Sequence, residues 1–150
     1  MKHSEKAAEL FTKGYNCAQA VVCAFCDKTG LDETTALKLS SSFGGGMGRL
    51  RQTCGAVTGA FMVAGLLNGY TTSDDDQTKK EHYALIQDIA KRFTEKNASI
   101  NCHELLGKLG SDTLPTPTPR TAEYYATRPC VRFVIQACDI LDEIIEEKGL

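Results

Sequence analysis

Residues 54–69, CGAVTGAFMVAGLLNG, limit the fold more than any other stretch of the chain. The run is strongly apolar, yet it falls short of the roughly 18 residues that suggest a membrane span. Gly55 and Gly59 stand four apart, as do Ala56 and Ala60, and Gly65 and Gly69. On a helix, residues four apart share a face, and small ones form a ridge that lets a second helix come close. Glycine inside a helix costs about 1 kcal/mol relative to alanine, so close packing is the natural compensation. The spacing predicts a buried central helix that starts near Cys54 and ends by Gly69.

The rest of the chain reads as partners for that helix. SEKAAELFTKG predicts a helix capped by Ser4, with Ala7, Ala8, Leu10 and Phe11 on its apolar side and Gly14 as its stop. A second helix is expected from Asn16 through CAQAVVCAFCDK to Gly30. A third is capped by Asp32 and stops at the glycine cluster. A fifth is capped by Ser73, with acids in its first turn and Leu85, Ile86, Ile89, Ala90 and Phe93 as its stripe. The last follows Pro129 and carries Val131, Val134, Ile135, Cys138, Leu141, Ile144 and Ile145. Pro115, Pro117 and Pro119 alternate with threonine and predict an extended surface connection. No strand pattern competes. The expectation is an all-α, single-domain helical bundle of about six helices with one Pro-rich loop, in keeping with 150 residues.

Seventeen basic and nineteen acidic residues leave a formal charge of −2, which gives no footprint for nucleic acid or an anionic membrane. MKHSEKAAELF has no apolar signal-peptide region, so a cytoplasmic location without membrane insertion is expected. The seven cysteines are then read for a reducing compartment, where metal binding or catalysis is commoner than a disulfide framework.

Position sorts the cysteines into two kinds. Cys17 follows Asn16, Cys54 follows Thr53, Cys102 follows Asn101 and Cys130 follows Pro129, so four thiols fall in the first turns of four helices. A helix start favours the thiolate, the form that binds metal or attacks a disulfide, by roughly 0.3–1 kcal/mol. If the four starts converge, mutual repulsion exceeds that help, and disulfide formation, protonation or a bound cation must relieve it. No zinc-ribbon or ferredoxin spacing fits the four. Cys23, Cys26 and Cys138 fall in helix interiors. Cys23-x-x-Cys26 lies mid-helix rather than after a strand, so core packing is expected there over a redox motif.

The segment SSFGGGMGRLRQTCG gives neither a phosphate loop with its lysine nor a dinucleotide fingerprint after a strand. Two readings stand side by side: a tight interhelical turn, or a backbone nest for an anion built on Gly45 and Gly46 with Arg49. Arg49 and Arg51 beside Cys54 favour its thiolate, which makes Cys54 the candidate nucleophile. The histidines show no ligand spacing. His3 is expected in a disordered terminus, His82 on a helix surface, and His103 as an exposed neighbour of Cys102.

GYNCAQAV, FGGGMGRLRQTCGAVTGA, CHELLG and RPC together resemble the C-GCAxxG-C-C family of putative redox-active proteins, with Cys54-Gly55-Ala56-Val57-Thr58-Gly59 as the CGAxxG signature. The resemblance implies an oxidoreductase or transporter partner. It also implies a cysteine-bound centre like that of the split-Soret cytochromes, carried onto Cys17, Cys54, Cys102 and Cys130. Covalent haem is not expected, because Cys26 is followed by Asp27 rather than histidine. The leading expectation is that these four thiols bind an iron–sulfur cluster or another thiophilic metal, for electron transfer or redox sensing. The alternatives are a thiol–disulfide oxidoreductase working through a cysteine pair, and a helical interaction domain with a structural zinc.

Overall fold

Helix signals local to the sequence set most of the element order in the computed structural model, which describes residues 1–150. The α-helical segments are α1 (His3–Thr12), α2 (Cys17–Ala24), α3 (Cys26–Thr29), α4 (Glu33–Ser41), α5 (Gly44–Met47), α6 (Gly55–Asn68), α7 (Asp76–Asn97), α8 (Cys102–Leu106), α9 (Ala122–Thr127) and α10 (Cys130–Lys148). Asn16 caps α2 by accepting from the Gln19 N–H, Asp32 caps α4 through Thr35, and Asn101 caps α8 through Glu104. No strand forms. A lone antiparallel bridge joins Thr53 to Asn101.

The all-α, single-domain expectation holds, and the element count exceeds six because α3, α5, α8 and α9 are short additions. One core of 30 buried residues runs through the bundle. Helices α2 and α6 face each other at its centre, α1 and α4 pack on α2, α10 packs on α1, and α7 lies across α6 and α10. The predicted glycine ridge is real at one end of α6. A Cβ on Gly55 would stand 3.1 Å from the Ala18 nitrogen, and one on Gly59 would stand 3.1 Å from the Ala18 oxygen. Gly65 faces open space, and Gly69 is the extended residue that ends the helix, where a Cβ would meet the Gly65 backbone and no other helix.

Several local expectations are corrected. Lys2, not Ser4, precedes the first helical residue, and Ser4 is buried in the first turn of α1. Asp75 rather than Ser73 caps α7, because its carboxylate accepts from the Thr78 N–H. The second helix breaks at Phe25, so Cys26 opens α3 instead of lying in a helix interior. His3 is ordered: Asp142 and Asp27 hold its two ring nitrogens at 2.8 and 2.9 Å, and its ring stacks on Phe25. His82 is buried rather than on a surface, edge-on to Tyr70. No helix is long and apolar enough to cross a membrane.

Candidate functional site

The four helix-start cysteines meet. Cys17, Cys54, Cys102 and Cys130 all line one cavity of about 380 Å³. Backbone pairing explains the junction of two of them. The Cys54 N–H donates to Ile100 O at 2.7 Å and the Cys102 N–H to Gln52 O at 2.6 Å, on either side of the Thr53–Asn101 bridge. The α2–α6 contact places Cys17, because a Cβ at Gly55 would sit 3.2 Å from the Cys17 Cβ. Cys130, at the start of α10, faces Cys17 closely enough for their sulfurs to share a hydrogen bond. All seven cysteines are free thiols. Cys54, Cys102 and Cys130 are buried and Cys17 is half-buried.

Thr53 is not the cap of α6. Its backbone is engaged by Asn101, and Cys54 itself takes the cap position. Its sulfur makes no capping hydrogen bond, and the Val57 N–H donates to the Cys54 carbonyl oxygen instead. The Ala56 and Val57 amides at the helix start favour the anion, but burial outweighs them and pushes the Cys54 thiol up to about 12. The expectation of a lowered pKa at Cys54 is therefore corrected. A helix start is worth under about 1 kcal/mol, and desolvation of a thiolate exceeds it.

The lowered thiol is Cys130. A hydrogen bond from Cys17 is the largest cause, and the Arg128, Arg120 and Arg51 charges add to it against burial. Cys17 is held well above the ordinary thiol range by that bond, by burial and by the other three cysteines. Within the pair, Cys130 is therefore the thiol that ionises more readily and Cys17 the one that keeps its proton. Cys102 is pushed up by burial, with Arg51 opposing: its Nη1 points at the Cys102 sulfur over 3.8 Å.

The loop before Cys54 shapes one wall. Gly45, Gly46 and Arg49, the residues of the anion-nest reading, all line the cavity. Gly46 has φ +73°, and a Cβ there would stand 2.7 Å from the Cys102 Cβ, so only glycine fits. Arg49 is anchored to the Pro-rich loop through Leu114 O at 2.6 Å, Thr118 and Asp112. That loop is extended as expected, and its Pro117 and Thr118 line the cavity.

Arg120 and Arg128 escaped the sequence reading. Arg120 donates to Phe11 O and Tyr15 O at 2.9 and 3.0 Å and lies over the Phe11 ring. Arg128 lies over Tyr124 at 4.9 Å. A basic residue two positions before Cys130 was the one local signal for Arg128, whereas the partners of Arg120 are distant in sequence. Arg49, Arg51, Arg120 and Arg128 all line the cavity, and no aspartate or glutamate does. His103 is exposed and bonded to Gly110 O, so it is no partner to the thiols.

The donor set is therefore four sulfurs under positive charge. No three His, Cys, Asp or Glu side chains anywhere in the chain are grouped tightly enough to hold a single metal ion. Cys23 and Cys138 stay in the core as expected, and burial raises both. A family model described as "Putative redox-active protein (C_GCAxxG_C_C)" matches residues 15–144. No curated protein and no solved structure matches the chain.

Proposed function

The chain belongs to the C-GCAxxG-C-C family of putative redox-active proteins, and from that premise we propose that Cys17, Cys54, Cys102 and Cys130 hold an iron–sulfur cluster. Its use is electron transfer or redox sensing with an oxidoreductase partner. The observation that carries the reading is the convergence of four thiols on one arginine-lined cavity without a carboxylate. A single tetrahedral zinc, with metal–sulfur bonds of about 2.3 Å, needs its sulfurs about 3.8 Å apart. No three of these thiols are grouped to hold such an ion, and the polynuclear reading rests on the shared cavity and the family.

The chain's own residues have defined parts in this reading. The four thiols are the ligands, and ligation requires their deprotonated form. Arg51 and Arg128 oppose the accumulation of negative charge at Cys102 and Cys130. The Gly45–Gly46 turn leaves room beside Cys102, and the Pro-rich loop lines the cavity through Pro117 and Thr118. An iron–sulfur cluster supplies one-electron exchange when bound, and cationic, hydrogen-bonding surroundings set its potential.

Anaerobic purification with iron and sulfide analysis tests the proposal. Stoichiometric iron and sulfide are expected, lost on replacing any of the four cysteines by serine and kept in Cys138→Ala. A protein that stays iron-free after reconstitution overturns it.

The Cys17–Cys130 pair favours a second reading, thiol–disulfide exchange. The Cys130 thiolate attacks one sulfur of a substrate disulfide and releases the other as a thiol. Cys17 then attacks Cys130 in the mixed disulfide, releasing the second thiol and leaving a Cys17–Cys130 disulfide for an external dithiol to reduce. Titration of the metal-free protein against glutathione buffers checks it: no reversible Cys17–Cys130 disulfide means no such activity.

A further inference from the structure

The cavity contains a positive group that the four thiols leave unsatisfied. Arg51 is only 5% exposed. Its Nε donates to Asp112 O at 2.9 Å and its Nη1 faces the Cys102 sulfur. Its remaining nitrogen, Nη2, has no partner. A buried polar group left unpaired costs on the order of 1–3 kcal/mol, and more when charged. The backbone adds to that cost. Arg51 has φ +59° and Arg49 has φ +68°, both in the left-handed region, where a residue with a side chain loses roughly 1–3 kcal/mol. Strain and an orphaned donor at one residue point to a partner that completes the site.

The surroundings define that partner. Arg49 is already saturated by the loop and Arg120 by two backbone carbonyls and an aromatic face. Arg128 is half-buried, lines the same cavity and rests on Tyr124 without a carboxylate partner. Arg51 and Arg128 line the same cavity as Cys102 and Cys130, and the charge of each favours the anionic form of both thiols. The cavity volume falls within the range of small-molecule sites, roughly 300–1,000 Å³. Planar guanidinium groups match the oxygens of small anions, each such bond being about twice as strong as a neutral one.

We propose that Arg51 Nη2 and the Arg128 guanidinium form a binding site for a small oxyanion of sulfate size, in the cavity that Cys102 and Cys130 line. The biological meaning rests on the redox-centre reading above, since it names a small inorganic oxyanion as the substrate class brought to that centre. The binding itself needs only the two arginines.

Calorimetric titration with sodium sulfate tests it, on both metal-free and iron-reconstituted full-length protein, at ionic strength held constant with chloride. Saturable one-to-one binding is expected in both forms. Arg128→Met and Arg51→Lys, each checked for native thermal unfolding, are expected to bind at least tenfold more weakly. The lysine variant keeps the charge but loses the second prong, so it guards against a methionine variant that fails to fold. Binding no stronger than to chloride overturns the site, as do variants that bind like the parent. Stoichiometric expulsion of sulfate on iron loading also overturns it, because the cluster is then the anion that Arg51 awaits. Arginine-dependent sulfate binding in a protein that takes up no iron keeps the site and removes the cluster.

Discussion

Helix α10 carries two cysteines about two turns apart, and they are opposite in chemistry. Cys130 is 8% exposed and Cys138 is wholly enclosed, so exposure barely separates them. Their neighbours do. Cys130 opens the helix, receives a hydrogen bond from Cys17 and faces three arginines, which hold its thiol below the ordinary range. Cys138 lies among aliphatic side chains, and burial, then Asp142 and Asp139, raise it. Helix α2 repeats the contrast: Cys17 at its start joins the cavity, and Cys23 near its end is pushed up to about 12 by burial. Burial makes a thiol inert unless hydrogen bonds and cations are assembled around the anion.

Alkylation of the reduced, metal-free protein is the strongest way to break that contrast. Cys130 reaches reagent through the cavity, whereas Cys138 must wait for unfolding. Native domains populate unfolded forms at about 10⁻³ or less, so Cys138 is expected to react at least about 1,000-fold more slowly with iodoacetamide. Peptide mass spectrometry over time measures the ratio. Comparable rates at the two sites would sink the distinction.

The pH dependence sharpens it. Labelling of Cys130 should reach half its maximum below the free-cysteine value of about 8.5. Cys17→Ala should move that midpoint up, because the Cys17 hydrogen bond is the largest lowering cause. The stability signs are opposite within the pair. The lowered pKa of Cys130 stabilises the fold above its unfolded value, and that contribution is lost as pH falls through the folded value. The raised pKa of Cys17 stabilises the fold below its unfolded value, and that contribution is lost as pH rises through the folded one. Urea denaturation between pH 6 and 10 is expected to show stability rising towards the unfolded thiol value and falling above it, a maximum that Cys17→Ala flattens on both sides.

What was legible in the sequence was what is local. Asn16, Asp32 and Asn101 cap their helices through N–H groups three residues away, and the spacing shows it. Thr53 has the right chemistry for a cap, but a bridge to Asn101 takes its backbone. The break at Phe25 has no glycine or proline to announce it. The four cysteines could be sorted as helix-start thiols, yet their convergence depends on the α2–α6 approach and the 52–54 pairing with 100–102. The thiol with the lowered pKa, Cys130 rather than Cys54, escaped the sequence for the same reason. Arg51 lies near Cys54 in sequence but points to Cys102, and Arg120 reaches the site from the far side of the Pro-rich loop.

The two ends of α6 offer a smaller, opposite-signed pair of effects. Gly55→Ala drives a methyl group to 3.0 Å from the Phe43 oxygen and 3.1 Å from the Ala18 nitrogen, both rigid backbone atoms. Overpacking of this kind costs about 1–3 kcal/mol, and a position in the first turn recovers little helix propensity. Gly65→Ala meets nothing within 4 Å and lies inside the helix. It should gain about 0.5–1 kcal/mol from propensity and from a less free unfolded chain. Chemical denaturation of both variants checks the signs. A stabilising Gly55→Ala would mean that the α2–α6 seam, and with it the position of Cys17, is looser than described.

The smallest effect belongs to an arginine outside the cavity. Arg92 joins Asp88, Glu143 and Glu147 across α7 and α10 with nitrogen–oxygen distances of 3.2, 3.5 and 2.7 Å. Its single charge faces three carboxylates, whereas Arg51 and Arg128 line a cavity with thiols and no carboxylate. Surface pairs of this sort contribute about 0–1 kcal/mol and are screened at high salt. Arg92→Met should therefore lower stability by no more than about 1 kcal/mol, less still in 1 M salt, and leave the alkylation rate of Cys130 unchanged. Arg128→Met should do the reverse, moving the Cys130 labelling profile to higher pH with little loss of stability. If both variants shift Cys130 alike, the lowered thiol reflects the net charge of the molecule, and the local arrangement of arginines loses its explanatory role.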